Sequence, residues 1–262
     1  MKTVTLKTPL DRIFNISGSE KDRSIIGAIE SNGGYYELNI MRLLKKMITP
    51  GSICIDVGAN VGVISLCLGH LASKGKVFAF EASEHNFTYL VRNIIQNNCS
   101  TVLPLNYGIL NDSCTVNFSY VEEVAGCSFI SNTGVTAGIS EQIRCISLDT
   151  WIESAGIQQL DFIKMDVEGA EIKALNGGMK TLEKFKPDMI IEFNPVPMKR
   201  FFGEDPVHLF NLLQNIYEHI YLISETKNEL IKIEDYEQIQ QILHVGKGWE
   251  DLFCTFKSNP QI

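Results

Sequence analysis

Four acidic residues stand where continuous apolar runs end: Asp56 in "ICIDVG", Glu81 in "KVFAFEA", Asp166 in "LDFIKMDV" and Glu192 in "PDMIIEFN". A fifth run, "TVLPLNYGI", carries Asn106 and Tyr107 near its end. Carboxylates gathered at strand ends can grip ribose hydroxyls, attract a cation, accept a proton or hold a divalent ion.

The stretch "CIDVGANVGVIS" sets Asp56 before a turn that holds Gly58, Asn60 and Gly62. The glycines remove side chains where backbone comes close to something, and Asn60 tolerates unusual dihedrals. A plain strand-to-helix turn uses the same residues. The pair gains force from Glu81, about 20 residues past Gly62 at the end of the next run, where an acid takes ribose hydroxyls. An adenosine-bearing ligand is expected. No third glycine follows, and branched Val63 and Ile64 stand where a pyrophosphate needs bare backbone. A rim of carboxylates suits the sulfonium of S-adenosylmethionine better than a pyrophosphate.

In "MDVEGAE", Asp166, Glu168 and Glu171 form a focused negative site. Asp166 or Glu168 is expected at the reacting region, orienting an ammonium tail, accepting a hydroxyl proton or holding a divalent cation. Glu171 needs no such duty, since an acid at a helix start gains ~0.3–1 kcal/mol from the helix dipole. Oxygen ligands with Glu192 nearby would suit magnesium, but no metal is predicted. His208 in "GEDPVHLF" is a third candidate base, and an ordinary helix-face histidine explains it as well. "VPMKRFF" holds two cations and two phenylalanines that would meet a phosphorylated or lipid-linked sugar, or simply water.

These groups need a sheet to hold them at one edge. The five apolar runs (53–58, 76–82, 101–109, 160–167 and 187–194) read as strands covered on both faces by helices. "GVISLCLGHLAS", "SEHNFTYLVRNIIQNN" and "AEIKALNGGMKTLEKF" carry helical spacing between them. "YYELNIMRLLKKMI" is a helix ended by Pro50-Gly51, and another is expected from about 205 to 218. Residues 113–147 alternate with period two and read as an antiparallel excursion or flap; "HIYLISE" and "ELIKIE" face each other across "TKN". The expected organisation is a cover and lead-in helix over 1–50 and one α/β domain over 51–262.

Composition narrows the partners. A net charge of −8 from 31 acidic and 23 basic residues, with no basic run longer than two, leaves no footprint for nucleic acid. No apolar run is long enough to span a bilayer, and the N-terminal segment is expected to be neither signal peptide nor anchor. Seven scattered cysteines without paired spacing fit reduced thiols of a cytoplasmic protein and give no zinc pattern.

"IDVGANVGVIS", "VFAFEAS", "LDFIKMDVEGAE", "ALNGG" and "KPDMIIEFN", in that order and after the lead-in "GGYYELNIMRLLKKMITPGS", resemble the FkbM family of S-adenosylmethionine-dependent methyltransferases. The match is loose over 113–147 and 195–262. The resemblance implies a Rossmann-like class I methyltransferase fold, a mostly parallel seven-stranded sheet with an antiparallel C-terminal hairpin. It implies Asp56, Gly58, Asn60 and Gly62 around the methionine half, Glu81 on the ribose with Ala82 and Ser83 along its edge, and Asn106 and Tyr107 near the adenine. Asp166 would touch the cofactor as well as the reaction. Tyr36 and Glu37 would reach the pocket from the lead-in helix, and Glu192, Asn194 and His208 would meet the acceptor. The expected activity is O-methylation of a hydroxyl on a saccharide, glycolipid or glycosylated metabolite. A non-sugar acceptor, or a non-catalytic protein that binds S-adenosylmethionine, is the alternative, and a homo-oligomer is compatible with the sequence.

Overall fold

The computed structural model describes residues 1–120, 129–130, 139–224, 229–258 and 260, excepting the side chains of 118–120, 129–130 and 139–140. Cys127 and the expected "TKN" turn lie outside the described residues.

Two antiparallel strands, β1 (Lys2–Lys7) and β2 (Ile13–Gly18), open the chain. Helices α1 (Ile26–Ser31) and α2 (Leu38–Met47) follow, the second with Leu43 and Leu44 buried among the core. The α/β alternation then begins with β3 (Ile53–Val57), α3 (Val63–Leu71), β4 (Lys76–Phe80), α4 (Glu84–Gln96) and β5 (Val102–Leu105). Four strands, β6 (Gly108–Ile109), β7 (Cys114–Tyr120), β8 (Phe129–Ile130) and β9 (Ile139–Ile146), leave the rhythm and form a second sheet. It resumes with α5 (Leu148–Ser154), β10 (Phe162–Met165), α6 (Glu171–Asn176), α7 (Met179–Phe185) and β11 (Asp188–Phe193). The single turn α8 (Pro195–Pro197) leads through a π-helical turn at Met198–Phe202 into α9 (Pro206–Ile216). The chain closes with β12 (His219–Ile223), β13 (Leu230–Lys232), α10 (Tyr236–Val245) and β14 (Glu250–Thr255).

The main sheet runs β13-β12-β14-β11-β10-β3-β4-β5, with β5, β4, β3, β10 and β11 parallel. The inner parallel strands β3, β4, β10 and β11 are buried almost throughout, because helices cover both faces, whereas the edge strand β5 leaves Leu103 exposed. The order turns at β3 and β10, the first strand and the fourth of the parallel set, and crossovers leave there in opposite directions. That reversal opens a crevice beyond the carboxyl ends of β3 and β10.

Four features depart from the sequence-level picture. The sheet has eight strands, not seven; the expected antiparallel pairing of β12 with β13 is present at its edge. The last strand, β14, does not close the sheet but lies between β11 and β12, antiparallel to both. Its residues are buried on both faces, whereas β13 is half exposed, so the more apolar strand takes the inner place. The run 101–109 divides between two sheets, β6 pairing with β9. Finally, "AEIKALNGGMKTLEKF" breaks into two helices at Gly177-Gly178, where a Cβ on Gly177 would lie 2.1 Å from the Leu110 carbonyl oxygen.

The β1–β2 ribbon is held by Asn93 of α4 and by Asn97, the residue that caps that helix, acting together as a strand partner. Asn93 accepts from the Ser17 amide at 2.8 Å and donates to the carbonyls of Ser17 (2.9 Å) and Val61 (2.7 Å). Asn97 likewise accepts from the Asn15 amide and donates to its carbonyl. The ribbon is thereby tied to the turn after β3. Among the described residues no helix is long and apolar enough to cross a membrane.

Candidate active site

The carboxyl ends of β3, β4, β10 and β11 surround a cavity of about 290 Å³, near the lower end of the ~300–1,000 Å³ usual for small-molecule sites. Tyr36, Glu37, Asp56, Gly58, Asn60, Glu81, Ala82, Tyr107, Asp166, Glu168, Glu192 and Asn194 line it. Gly62, Ser83, Asn106 and His208 do not.

The turn after β3 is fixed from two sides. The amides of Gly58 and Ala59 donate to the Phe80 carbonyl at 3.0 and 2.8 Å, and the Asp166 amide donates to the Val57 carbonyl at 2.9 Å. Gly58 has φ 82°, and a Cβ there would lie 1.7 Å from the backbone oxygen of Asp166. Its glycine is demanded by the neighbouring strand end. Gly58→Ala is therefore expected to cost about 3 kcal/mol or more, lowering the calorimetric midpoint by ~6–12 °C. A midpoint within ~2 °C of the parent would show that the turn can yield. Gly62 serves a different contact, since its Cβ would meet Leu90 of α4 at 2.7 Å. It permits helix packing there and does not line the cavity.

Asp56 accepts a hydrogen bond from the Ser65 hydroxyl and so braces the first turns of α3 while lining the cavity. Burial raises it to about 6, against the pull of Ser65 and Lys164.

Glu81 ends β4 with both oxygens engaged: Oε2 accepts from the Asn60 amide and Oε1 from the Ser83 amide, each at 2.8 Å. Burial raises its carboxyl to about 7 although these N–H groups favour the charged form. Asn60 has φ 50°, the left-handed conformation that asparagine tolerates. Ser83 caps α4, and the Asn106 side-chain Nδ2 donates to the carbonyls of Glu81 and Ala82 at 2.9 and 3.1 Å. Those two residues shape the Glu81 corner from behind. Tyr107 faces the cavity with the Arg144 guanidinium 5.0 Å from its ring centre.

The opposite end is acidic around one cation. Lys164, 3% exposed in the middle of β10, has its ammonium 3.3 Å from Asp251 and 3.5 Å from Asp166. Burial opposes its charge, yet Asp166, Asp251, Glu37 and Glu192 together raise it well above the ordinary lysine range. The acids respond in turn. Burial, then Asp166, Glu171 and Asp251, raises Glu192 well above the ordinary carboxylate range. Asp166 moves up through burial against Lys164. Glu37 reaches about 8, through burial first, with Lys164 opposing and Asp251 and Asp166 adding. Burial also raises the Tyr36 phenol, which stays neutral.

Glu168 and Gly169 take φ 52° and 101°. Glu171 stabilises this bend, its Oε1 accepting from the Val167 and Gly169 amides at 3.2 Å each. His208 is exposed on α9, whose Leu209, Phe210 and Leu213 take the buried face. The cations Lys199 and Arg200 are likewise exposed.

Sequence reasoning missed Lys164, Asp251 and Trp249, all of which line the cavity. A lysine inside the apolar run "DFIKMD" was a legible signal, because a buried ammonium requires partners. Asp251 was hidden by topology: β14 is antiparallel, so its first residues lie beside the last of β11, with Asp251 opposite Glu192.

A parallel sheet of this order, with an acid on the second strand end and a glycine turn on the first, defines a class I methyltransferase dependent on S-adenosylmethionine. The Methyltransferase FkbM domain matches residues 56–228, and the chain belongs to that family. It is 32% identical over 218 residues to the hexuronic acid methyltransferase AglP of Haloferax volcanii, covering 81% of this chain and 83% of that one. Methyltransferase sdnD of Sordaria araneosa is 24% identical over 47% of this chain and 59% of its own. Among solved structures, methyltransferase FkbM from Methylobacillus flagellatus KT superposes with TM-score 0.51 at 17% identity, over 79% of this chain and 44% of that longer one. A precorrin-6y C5,15-methyltransferase from Geobacter metallireducens GS-15 gives 0.52 at 9% identity, over 96% and 100% of the two chains. Both likenesses are of fold.

The cavity fits the cofactor of this family. One end offers a buried acid at the tip of β4 between apolar walls that include Phe80, Ile109 and Leu110, and the other an excess of carboxylates suited to a cation.

Proposed function

We propose that the chain transfers a methyl group from S-adenosylmethionine to a hydroxyl of a saccharide, glycolipid or glycosylated metabolite. The observation that carries this is the acceptor end itself, where carboxylate oxygens of Asp166, Glu168 and Glu192 all lie within 4.8 Å of one another. A neutral hydroxyl can enter such a place and surrender its proton there. The relative AglP is named for a hexuronic acid, which supports a sugar as the acceptor class.

Bound S-adenosylmethionine supplies an electrophilic methyl group on a leaving group that departs as a neutral thioether. The chain's part is to align and to remove a proton. Glu81 holds the ribose hydroxyls, Gly58 and Asn60 present backbone to the methionine half with Asp56 beneath, and Ala82 and Tyr107 border the base. Ser83, Asn106 and Gly62 act from behind as supports. Asp166, aided by Glu168, takes the hydroxyl proton as the oxygen attacks. Tyr36 and Glu37 cover the site, and Glu192 and Asn194 meet the acceptor; His208 has no part. Residues 1–50 act as the cover and 51–262 as the transferase domain, with the described strands β7 and β9 as part of a flap. The free cysteines, most of them buried, support a reducing compartment such as the cytoplasm.

The test is transfer of isotopically labelled methyl to a panel of nucleotide-linked and lipid-linked hexoses and hexuronic acids. An alkali-stable methyl ether on the sugar is the expected product. An alkali-labile ester would assign the acceptor as a carboxylate, and label only on non-sugar alcohols would replace the saccharide.

Glu81 must be ionised to accept two hydroxyls. With its carboxyl at about 7, affinity for S-adenosylmethionine is expected to rise about tenfold from ~pH 6 to ~pH 8. Stability of the empty protein runs the other way. A carboxyl whose folded value, about 7, exceeds its unfolded ~4.3 contributes fully below ~4.3 and loses that contribution as pH rises through the folded value. Calorimetric titrations across this range check the first claim, and a flat profile removes Glu81 from the ribose.

A further inference from the structure

We propose that Asp166, Glu168 and Glu192 bind a divalent cation of the magnesium or manganese type, which takes up the acceptor through two neighbouring oxygens. The inference rests on the reading of this cavity as a methyl-transfer site.

Two observations carry it. The three carboxylates come from two adjacent strand ends, β10 and β11, and each places an oxygen within 4.8 Å of the others. An octahedral ion with ~2.1 Å bonds spaces its ligands ~3.0 to ~4.2 Å apart, so a modest closure completes the set. Independently, Glu192 is 93% buried, and its Oε2 has no hydrogen-bond partner among the described residues. A buried carboxylate oxygen left without a donor is costly unless something positive meets it. Lys164 is already directed to Asp166 and Asp251. It is one ammonium against the carboxyls of Glu37, Asp166, Glu168, Glu192 and Asp251, which all line the same cavity.

The donor set selects the ion. Oxygen ligands without sulfur or imidazole suit magnesium, manganese or calcium and disfavour zinc. Three protein carboxylates leave coordination positions open, and Asn194 stands beside them on the cavity wall. Two adjacent hydroxyls of a sugar ring can fill two such positions. Held there, the ion would lower the pKa of the reacting hydroxyl; the carboxylate oxygen of Asp166 left off the ion takes its proton, the new C–O bond forms at the methyl carbon, and the C–S electron pair leaves with the thioether. Acceptors with a lone hydroxyl would bind less well than those with a vicinal pair.

Chelator-treated protein titrated with manganese(II), with free ion followed by electron paramagnetic resonance and no S-adenosylmethionine present, tests the site. About one tightly held ion per chain is expected, with Glu192→Gln and Glu168→Gln each weakening it at least ~tenfold. A cooperative thermal transition close to the parent's certifies that the variants are folded. No manganese bound by the parent protein, or affinity unchanged in both folded variants, overturns the proposal; the carboxylates then hold the ammonium of the cofactor instead. Methyl transfer separates the two readings. Manganese bound without any methylated saccharide sustains the ion and removes the acceptor. Transfer undiminished after chelation sustains the acceptor and overturns the ion's role.

Discussion

Glu81→Ala is expected to weaken S-adenosylmethionine binding about a hundredfold. Two ribose hydroxyls donating to one buried carboxylate are charge-assisted bonds worth ~1.5–3 kcal/mol each, and ~1.4 kcal/mol is a factor of ten. The substitution also frees the Asn60 and Ser83 amides that Glu81 now receives at 2.8 Å, so the turn after β3 loses its tie to β4. Glu81→Gln separates these effects. Its carbonyl can keep one amide while its NH₂ faces the other, and the loss should be nearly as large as for alanine if charge matters most. Isothermal titration calorimetry measures both variants. Affinity within threefold of the parent for Glu81→Ala would place the ribose elsewhere.

Asp166→Asn is expected to lower kcat about a hundredfold or more and to change cofactor affinity far less. The amide keeps the shape of the carboxylate and leaves the backbone of the strand end intact, where the Asp166 amide meets Val57 and its carbonyl faces Gly58. Lys164 keeps Asp251 as its partner. What disappears is a group able to receive the acceptor's proton. Steady-state and single-turnover rates with a saccharide acceptor from the labelled panel check this; a kcat within a few-fold of the parent makes Asp166 a structural acid and passes the role to Glu168. Parallel loss of cofactor affinity and rate would instead mark it as a binding group.

The strand ends were legible because a parallel sheet buries both faces, so each strand reads as an unbroken apolar run and an acid at its end stands out. Asp56, Glu81, Asp166 and Glu192 all face one cavity for that reason. The second row of supports was less legible. Ser83 and Asn106 lie beside Glu81 in the fold and were expected at the ligand, but their side chains point to backbone groups. Spacing places a residue at a turn without saying which way it faces. His208 shows the same limit, since a capped helix presents either face depending on what it packs against.

By itself the sequence determined the element types, the parallel body of the sheet, the family and the crowding of acids at one edge, because local periodicity and strand-end chemistry carry those. Only the tertiary structure decided that β14 slides between β11 and β12, bringing Asp251 opposite Glu192 and giving Lys164 its second partner. That pairing joins residues far apart in the chain and depends on which strand is apolar enough to be enclosed. It is also what turns separate strand-end acids into one charged site around a buried ammonium.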